Sequence, residues 1–197
     1  MGRAVELAWE SFRAGSFPVG AVLVDGRGEV VAEGRNRMGE GEAPAGRMRS
    51  TGIAHAEMDV LAQLPMGDYP DHTLFTSLEP CLLCRAALTM THVGTVRFLA
   101  GDSLCEGLDQ LRDINAHASR RYPVMEGPGD GIVAAFAGAL PMAVLLLFNP
   151  TGTTADHYRL FDPVVFARAQ RIVAENRWPS KALDVQGAVE SLVDVLE

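Results

Sequence analysis

Hydrophobic positions along the first half of the chain switch between helical and strand spacing. Val5, Leu7, Ala8, Trp9 and Phe12 fall mostly on one side of a helix over residues 3–14, and Gly15 ends it. Pro18 to Asp25 is β-rich, Asp25-Gly26-Arg27-Gly28 reads as a turn, and Glu29 to Glu33 returns as a second strand. Residues 38–52, rich in Gly, Glu, Pro, Arg and Ser, read as an exposed loop. Ala54, Met58, Leu61, Ala62 and Leu64 then predict a helix from Ile53 to Leu64, stopped by Pro65 and Gly67. His72 to Leu78 predicts a third strand, Cys81 to about Thr91 a helix, and Thr95 to Ala100 a fourth strand.

That order constrains the topology. A helical crossover joins parallel neighbours, so the strands on either side of the Cys81 helix must run parallel. The helix N-termini then sit at the carboxyl ends of strands, where open α/β sheets bind ligands. Beyond Asp102, Leu104 to Ser119 reads as helical and Arg121 to Glu126 as a fifth strand. Gly131 to Phe148 runs 18 residues without a charge, at the lower edge of membrane-spanning length. Pro141 interrupts it and no basic cluster flanks it, which predicts a buried helix pair broken at Pro141 and no membrane span. Asn149 to Asp156 reads as a loop, and two helices follow, at about 163–176 and 180–196.

Composition adds three constraints. With 48% hydrophobic and 21% charged residues, the 197-residue chain can bury a substantial core. A net charge of −8 gives no general attraction for phosphate backbones, so nucleic acid is not the expected partner. The three cysteines, two of them in a CxxC pair, suit a metal site in a reducing compartment better than a disulfide framework. The acidic N-terminal segment lacks the apolar core of a signal peptide, so a cytoplasmic location is expected.

Candidate chemistry concentrates in two short stretches, His55-Ala56-Glu57 and Pro80-Cys81-Leu82-Leu83-Cys84. Cys81 and Cys84 are three apart, so on a first helical turn both thiols point the same way and can bind one ion. His55 and Glu57 can face that ion from a second helix N-terminus, where backbone dipoles favour thiolate and carboxylate. One imidazole, two thiols and one carboxylate are the inventory of a three-ligand catalytic zinc site with a proton carrier beside it; a structural zinc is closed by four ligands. Cys105 is the one candidate for a fourth ligand, against its ordinary reading as a small buried hydrophobe.

His-x-Glu followed by Pro-Cys-x-x-Cys resembles the signature of the zinc-dependent nucleobase and nucleoside deaminases. The matching text is His55-Ala56-Glu57-Met58 and Ser77-Leu78-Glu79-Pro80-Cys81-Leu82-Leu83-Cys84, with Asn36-Arg37 and Ala100-Gly101-Asp102 alongside. The pattern looks like the branch that holds guanine deaminase, cytosine deaminase and tRNA adenosine deaminase, and it extends over roughly residues 1–148. The resemblance implies a cytidine deaminase-like α/β/α sandwich with a five-stranded mixed sheet. It leaves residues 149–197 as a helical C-terminal extension that packs on the domain or covers the site.

The same resemblance implies Zn2+ held by His55, Cys81 and Cys84, with Glu57 as the proton shuttle. It gives Asn36 a hydrogen bond to substrate, Asp102 a place near the nucleotide, and Glu79 a bracing role. Taken alone, Asn36 is a turn former and Asp102 a helix cap. Phe148, Tyr158 and His157 are candidates for a lid that stacks on a base and excludes water. The implied activity is hydrolytic removal of an exocyclic amine from a small free base or nucleoside, with release of ammonia. A homodimer is expected by analogy. Two alternatives stand beside it. Arg35, Arg37, Arg47 and Arg49 make the region before the metal motif locally basic, which suits a tRNA-editing deaminase. A closed four-ligand site would suit a non-catalytic zinc-stabilised module.

Overall fold

The computed structural model describes residues 1–197. Five strands form one mixed sheet in the order β2-β1-β3-β4-β5. They are β1 (Gly20–Val24), β2 (Val30–Arg35), β3 (Thr73–Leu78), β4 (Thr95–Ala100) and β5 (Val124–Glu126). β1 pairs antiparallel with both β2 and β3, whereas β3–β4 and β4–β5 are parallel. The parallel β3–β4 pair is the one the crossover argument requires.

Side-chain alternation along β1 divides the helices between the two faces. Ala21 and Leu23 join a core with Ala56, Val60 and Leu61 of helix α2 (Ala56–Leu61) and Leu88 of helix α3 (Leu82–Thr91). Val22, between them, packs with Ala4 and Leu7 of helix α1 (Gly2–Arg13). Gly34 on β2 is what lets α2 lie so close to the sheet: a Cβ there would stand 2.5 Å from the Ala56 carbonyl oxygen. The alternating sheet therefore holds both metal-motif helices on one face.

The segment read as largely helical after Asp102 forms 3-10 turns at Ser103–Cys105 and Leu108–Asp113, then a short helix α4 (Ala116–Arg121). The strand expected from Arg121 begins instead at Val124.

Gly131–Phe148 is one helix, α5, and not a pair broken at Pro141. A proline inside a helix costs roughly 3 kcal/mol. Every residue from Phe136 to Val144 is buried, and each large apolar side chain so buried returns about 1.5–3 kcal/mol. Burial therefore outweighs the missing hydrogen bond. The helix is long and apolar enough to cross a membrane, and here it forms the centre of the largest core cluster.

That cluster unites Trp9 and Phe12 of α1 with Phe136, Leu140 and Met142 of α5. It continues through Tyr158 of α6 (Thr153–Phe161), Phe166 and Ile172 of α7 (Pro163–Ala174), Val189 of α8 (Val185–Glu190) and Leu196 of α9 (Val193–Leu196). Two features here depart from expectation. The second half of the segment read as a loop, from Thr153 to Asp156, opens α6, and the final helix is split into α8 and α9. Residues 149–197 share their core with α1 and α5.

Candidate metal centre and active site

Both metal-motif helices begin on a ligand. His55 is the N-cap of α2 and Cys81 the N-cap of α3, each with extended backbone, and Cys84 lies in the first turn of α3. The strand ends place them together. His55 Nδ1 is 3.5 Å from Cys81 Sγ and 3.5 Å from Cys84 Sγ, and the two sulfurs are 3.8 Å apart.

This triangle has the dimensions of three corners of a zinc tetrahedron. Bonds of about 2.3 Å to sulfur and about 2.0 Å to nitrogen separate tetrahedral ligands by roughly 3.8 Å for S–S and roughly 3.5 Å for N–S. The cluster that could hold an ion comprises His55, Cys81 and Cys84. Cys105 is outside it, its thiol donating to the Pro80 carbonyl at 3.4 Å. The electrostatics fit a cation as well. The Cys84 thiol, hydrogen-bonded to Cys81 and buried, is pushed far up, while that hydrogen bond and the one with His55 bring Cys81 down to about 4. The pair thus presents a thiolate beside an imidazole.

Glu57 is only 3% exposed, and burial raises its pKa above the ordinary carboxylate value. Its Oε2 lies 3.4 Å from Cys84 Sγ, and its Oε1 accepts a hydrogen bond from Thr76 Oγ1 at 3.0 Å. Thr76 and Leu74 share a face of β3, which is how the strand delivers that hydroxyl to the α2 side.

His55, Glu57 and Cys81 line a cavity of about 270 Å³ together with Asn36, Asp102, Phe17, Met38, Leu78 and Leu145. Asn36 is 2% exposed, and its Oδ1 accepts from the Met38 amide at 3.0 Å. Its turn-forming role and its place in the cavity wall therefore coexist. Asp102 likewise caps the 3-10 turn, accepting from Leu104 N at 2.8 Å, while standing in the wall.

The expected aromatic lid is not formed. Phe148 is 82% exposed and borders a separate groove with Phe12 and Trp178. His157 packs against Phe161 with ring centroids 4.6 Å apart and planes tilted by 33°, and it does not line the cavity. Tyr158 reaches the site only through Asp102, donating to its Oδ1 at 2.6 Å. Phe148 ends α5 two residues beyond Leu146, the last buried residue of that helix.

Sequence reading missed Arg85, which is 1% exposed directly behind the cysteine pair. Its Nε donates to the Pro80 carbonyl at 3.0 Å, and its Nη1 to Asp109 at 2.6 Å and Tyr122 at 2.7 Å. Its Nη2 pairs with Glu79 Oε1, while Glu79 Oε2 accepts from the Asp102 amide at 3.1 Å. Glu79 thus braces the ligand loop from both sides. The available signal was a charge on the face of α3 that also carries Cys84, Leu88 and Thr89.

The zinc-binding region that defines cytidine and deoxycytidylate deaminases matches residues 1–100. The chain belongs to this deaminase family. It is 32% identical over 133 residues to the tRNA-specific adenosine deaminase subunit tad2 of Schizosaccharomyces pombe, a match covering 64% of this chain and 32% of that protein. It is 30% identical over 118 residues to a tRNA-specific adenosine deaminase of Streptococcus pyogenes, covering 58% of this chain and 64% of that one. A Candida albicans cytosine deaminase is 27% identical over 104 residues, covering 51% of this chain and 63% of its own. The chain therefore spans from about a third to just under two thirds of these relatives.

Among solved structures, one from work on A-to-I editing by tRNA deaminases at the wobble position aligns with a TM-score of 0.52 and 26% identity. It covers 64% of this chain and 93% of its own. A mutant protein in complex with 8-azaguanine aligns at 0.50 with 25% identity, covering 73% and 82% respectively. The five-stranded mixed sheet with flanking helices is the cytidine deaminase-like fold, and the family's zinc is the metal that the His55, Cys81 and Cys84 triangle fits.

Proposed function

We propose that this deaminase-family chain hydrolyses the exocyclic amine of a small free nucleobase, nucleoside or related amino-heterocycle and releases ammonia. His55, Cys81 and Cys84 would hold zinc, which when bound would supply the Lewis acidity that brings the pKa of water toward ~7. Glu57 takes a proton from the attacking water and passes protons to the ring nitrogen and to the leaving amine. Thr76 holds one carboxylate oxygen of Glu57, leaving the other toward the metal side. The Asn36 amide nitrogen donates to an acceptor on the base edge, since Oδ1 is already occupied by Met38. Phe17, Met38, Leu78 and Leu145 supply the apolar walls that exclude bulk water from the transfer.

The observation that carries the choice of a small substrate is the pairing of the basic segment. Arg35 and Arg37 both reach Glu40, with Arg37 Nη1 2.9 Å from Glu40 Oε2. Arg47 Nη1 lies 3.1 Å from Asp59 Oδ2, and Arg37 Nε lies 3.5 Å from the same oxygen. The carboxylates of Glu40 and Asp59 are 10% and 1% exposed, so three of the four arginines are committed inside the protein. On a chain of net charge −8, that leaves little to neutralise an RNA backbone.

A second reading, deamination of adenosine in tRNA, is favoured by the likeness to tRNA-specific adenosine deaminases. An ammonia-release screen over guanine, cytosine, their nucleosides and tRNA decides between them. Turnover of tRNA with silent free bases and nucleosides overturns the small-substrate reading.

A further inference from the structure

The Tyr158–Asp102 contact joins a helix outside the matched family region to the wall of the reaction cavity. Asp102 Oδ1 accepts two hydrogen bonds, from the Leu104 amide at 2.8 Å and from the Tyr158 hydroxyl at 2.6 Å. Its backbone amide is fixed as well, donating to Glu79 Oε2 at 3.1 Å. The carboxylate's other oxygen, Oδ2, has no protein partner. The tyrosine cannot shift easily, because it is 7% exposed and belongs to the large core cluster with Phe166 of α7 and Phe136 of α5.

We infer that Tyr158 is a positioning residue for substrate selection: it orients Asp102 so that Oδ2 serves as an acceptor for a ring N–H or amino group of the bound base. The inference rests on the deaminase reading above and adds a substrate class to it. A carboxylate acceptor and the Asn36 amide donor in the wall of one cavity select a heterocycle that offers both a donor and an acceptor. A base methylated at the nitrogen facing Asp102 would leave a buried oxygen unpaired.

Tyr158 is not placed to touch substrate, so its effect must pass through Asp102. Removing only its hydroxyl leaves Asp102 held by Leu104 N alone and free to rotate about its terminal torsion. Binding should weaken while Glu57, held separately by Thr76, is left unchanged. The expected signature is a rise in KM with kcat nearly preserved.

The test uses the zinc-loaded full chain and Tyr158→Phe, assayed by ammonia release from guanine and cytosine and from their ring-N-methyl analogues. For the base the wild type deaminates, Tyr158→Phe should raise KM about 10-fold with little change in kcat, as loss of one charge-assisted hydrogen bond predicts. That penalty should disappear on the analogue whose methyl group blocks the bonded N–H. An unchanged KM, or the same penalty on every analogue, overturns the inference.

If Tyr158→Phe loses zinc or melts early, Asp102→Asn assayed on the same substrate pairs decides instead. An analogue-dependent KM supports the role, and a uniform loss overturns it. A wild type that deaminates neither base nor any analogue defeats the small-base reading itself, and the inference with it. An active wild type beside an indifferent Tyr158→Phe defeats the inference alone.

Discussion

Thr76 on β3 and Glu57 on α2 are joined by a hydrogen bond of 3.0 Å across 19 residues of sequence. The bond matters because Glu57 is buried, and an unpartnered buried carboxylate would be free to turn away from the metal side. With Oε1 held by the threonine, Oε2 stays near Cys84. Strand, helix and metal loop are thereby fixed to one another at the carboxylate proposed to carry the proton.

Glu57→Gln therefore separates proton transfer from metal binding. The amide keeps the shape of the carboxylate but cannot carry a proton. Turnover should fall by about 10²–10⁴-fold while zinc remains stoichiometric. Metal analysis alongside steady-state ammonia release checks this. Near wild-type activity in a zinc-replete Glu57→Gln protein would remove Glu57 from the mechanism.

Metal removal tests the triangle of His55, Cys81 and Cys84. Because these donors are set at tetrahedral spacing by two helix N-termini, zinc binds the folded chain in preference to the unfolded one. At free zinc about 1,000 times Kd, that preference contributes about 4 kcal/mol. Chelation should lower Tm by several degrees, and zinc but not magnesium should restore it. Cys84→Ser should melt at the chelated value whether or not zinc is added. Differential scanning calorimetry with and without chelator gives the answer.

Much of the fold and the site is legible in the sequence. The ligand residues, their helices and the parallel β3–β4 pair followed from spacing, because a local period fixes which side chains share a face. Arg85 was not legible, since nothing in the sequence pairs it with Glu79, Asp109 and Tyr122, which lie up to 37 residues away. The continuity of α5 through Pro141 was hidden for the same reason: the burial that outweighs a helix-breaking residue comes from α7 and α9, far along the chain. By sequence Tyr158 reads as an aromatic lid residue, but tertiary packing turns its hydroxyl, and not its ring, to the site.

Arg85 supports the metal loop by being a buried cation with four protein partners. Arg85→Met keeps much of the volume but leaves Glu79, whose side chain is 17% exposed, without its counter-charge. Breaking a buried pair on one side costs about 3–5 kcal/mol. The lower end is expected here, because Asp109 is 63% exposed and can be resolvated. Urea unfolding should show that loss. Arg85→Met combined with Glu79→Gln should recover part of it, and two fully additive losses would mean the pair is not coupled.

The small-substrate reading makes a prediction about charge that runs opposite to ordinary loss of function. Glu40 engages both Arg35 and Arg37 in a pocket where its side chain is 10% exposed. Glu40→Gln leaves those guanidiniums without a full counter-charge and turns the segment before the metal motif more basic. If these arginines are withheld from RNA by that pairing, the variant should bind tRNA more tightly than wild type, with a steeper loss of affinity as salt rises. Filter-binding titrations at low and physiological ionic strength measure both quantities. Strong salt-dependent tRNA binding by the wild type, weakened in Glu40→Gln, would show that the paired arrangement builds an RNA surface, and the tRNA-editing reading would then replace the small-base one.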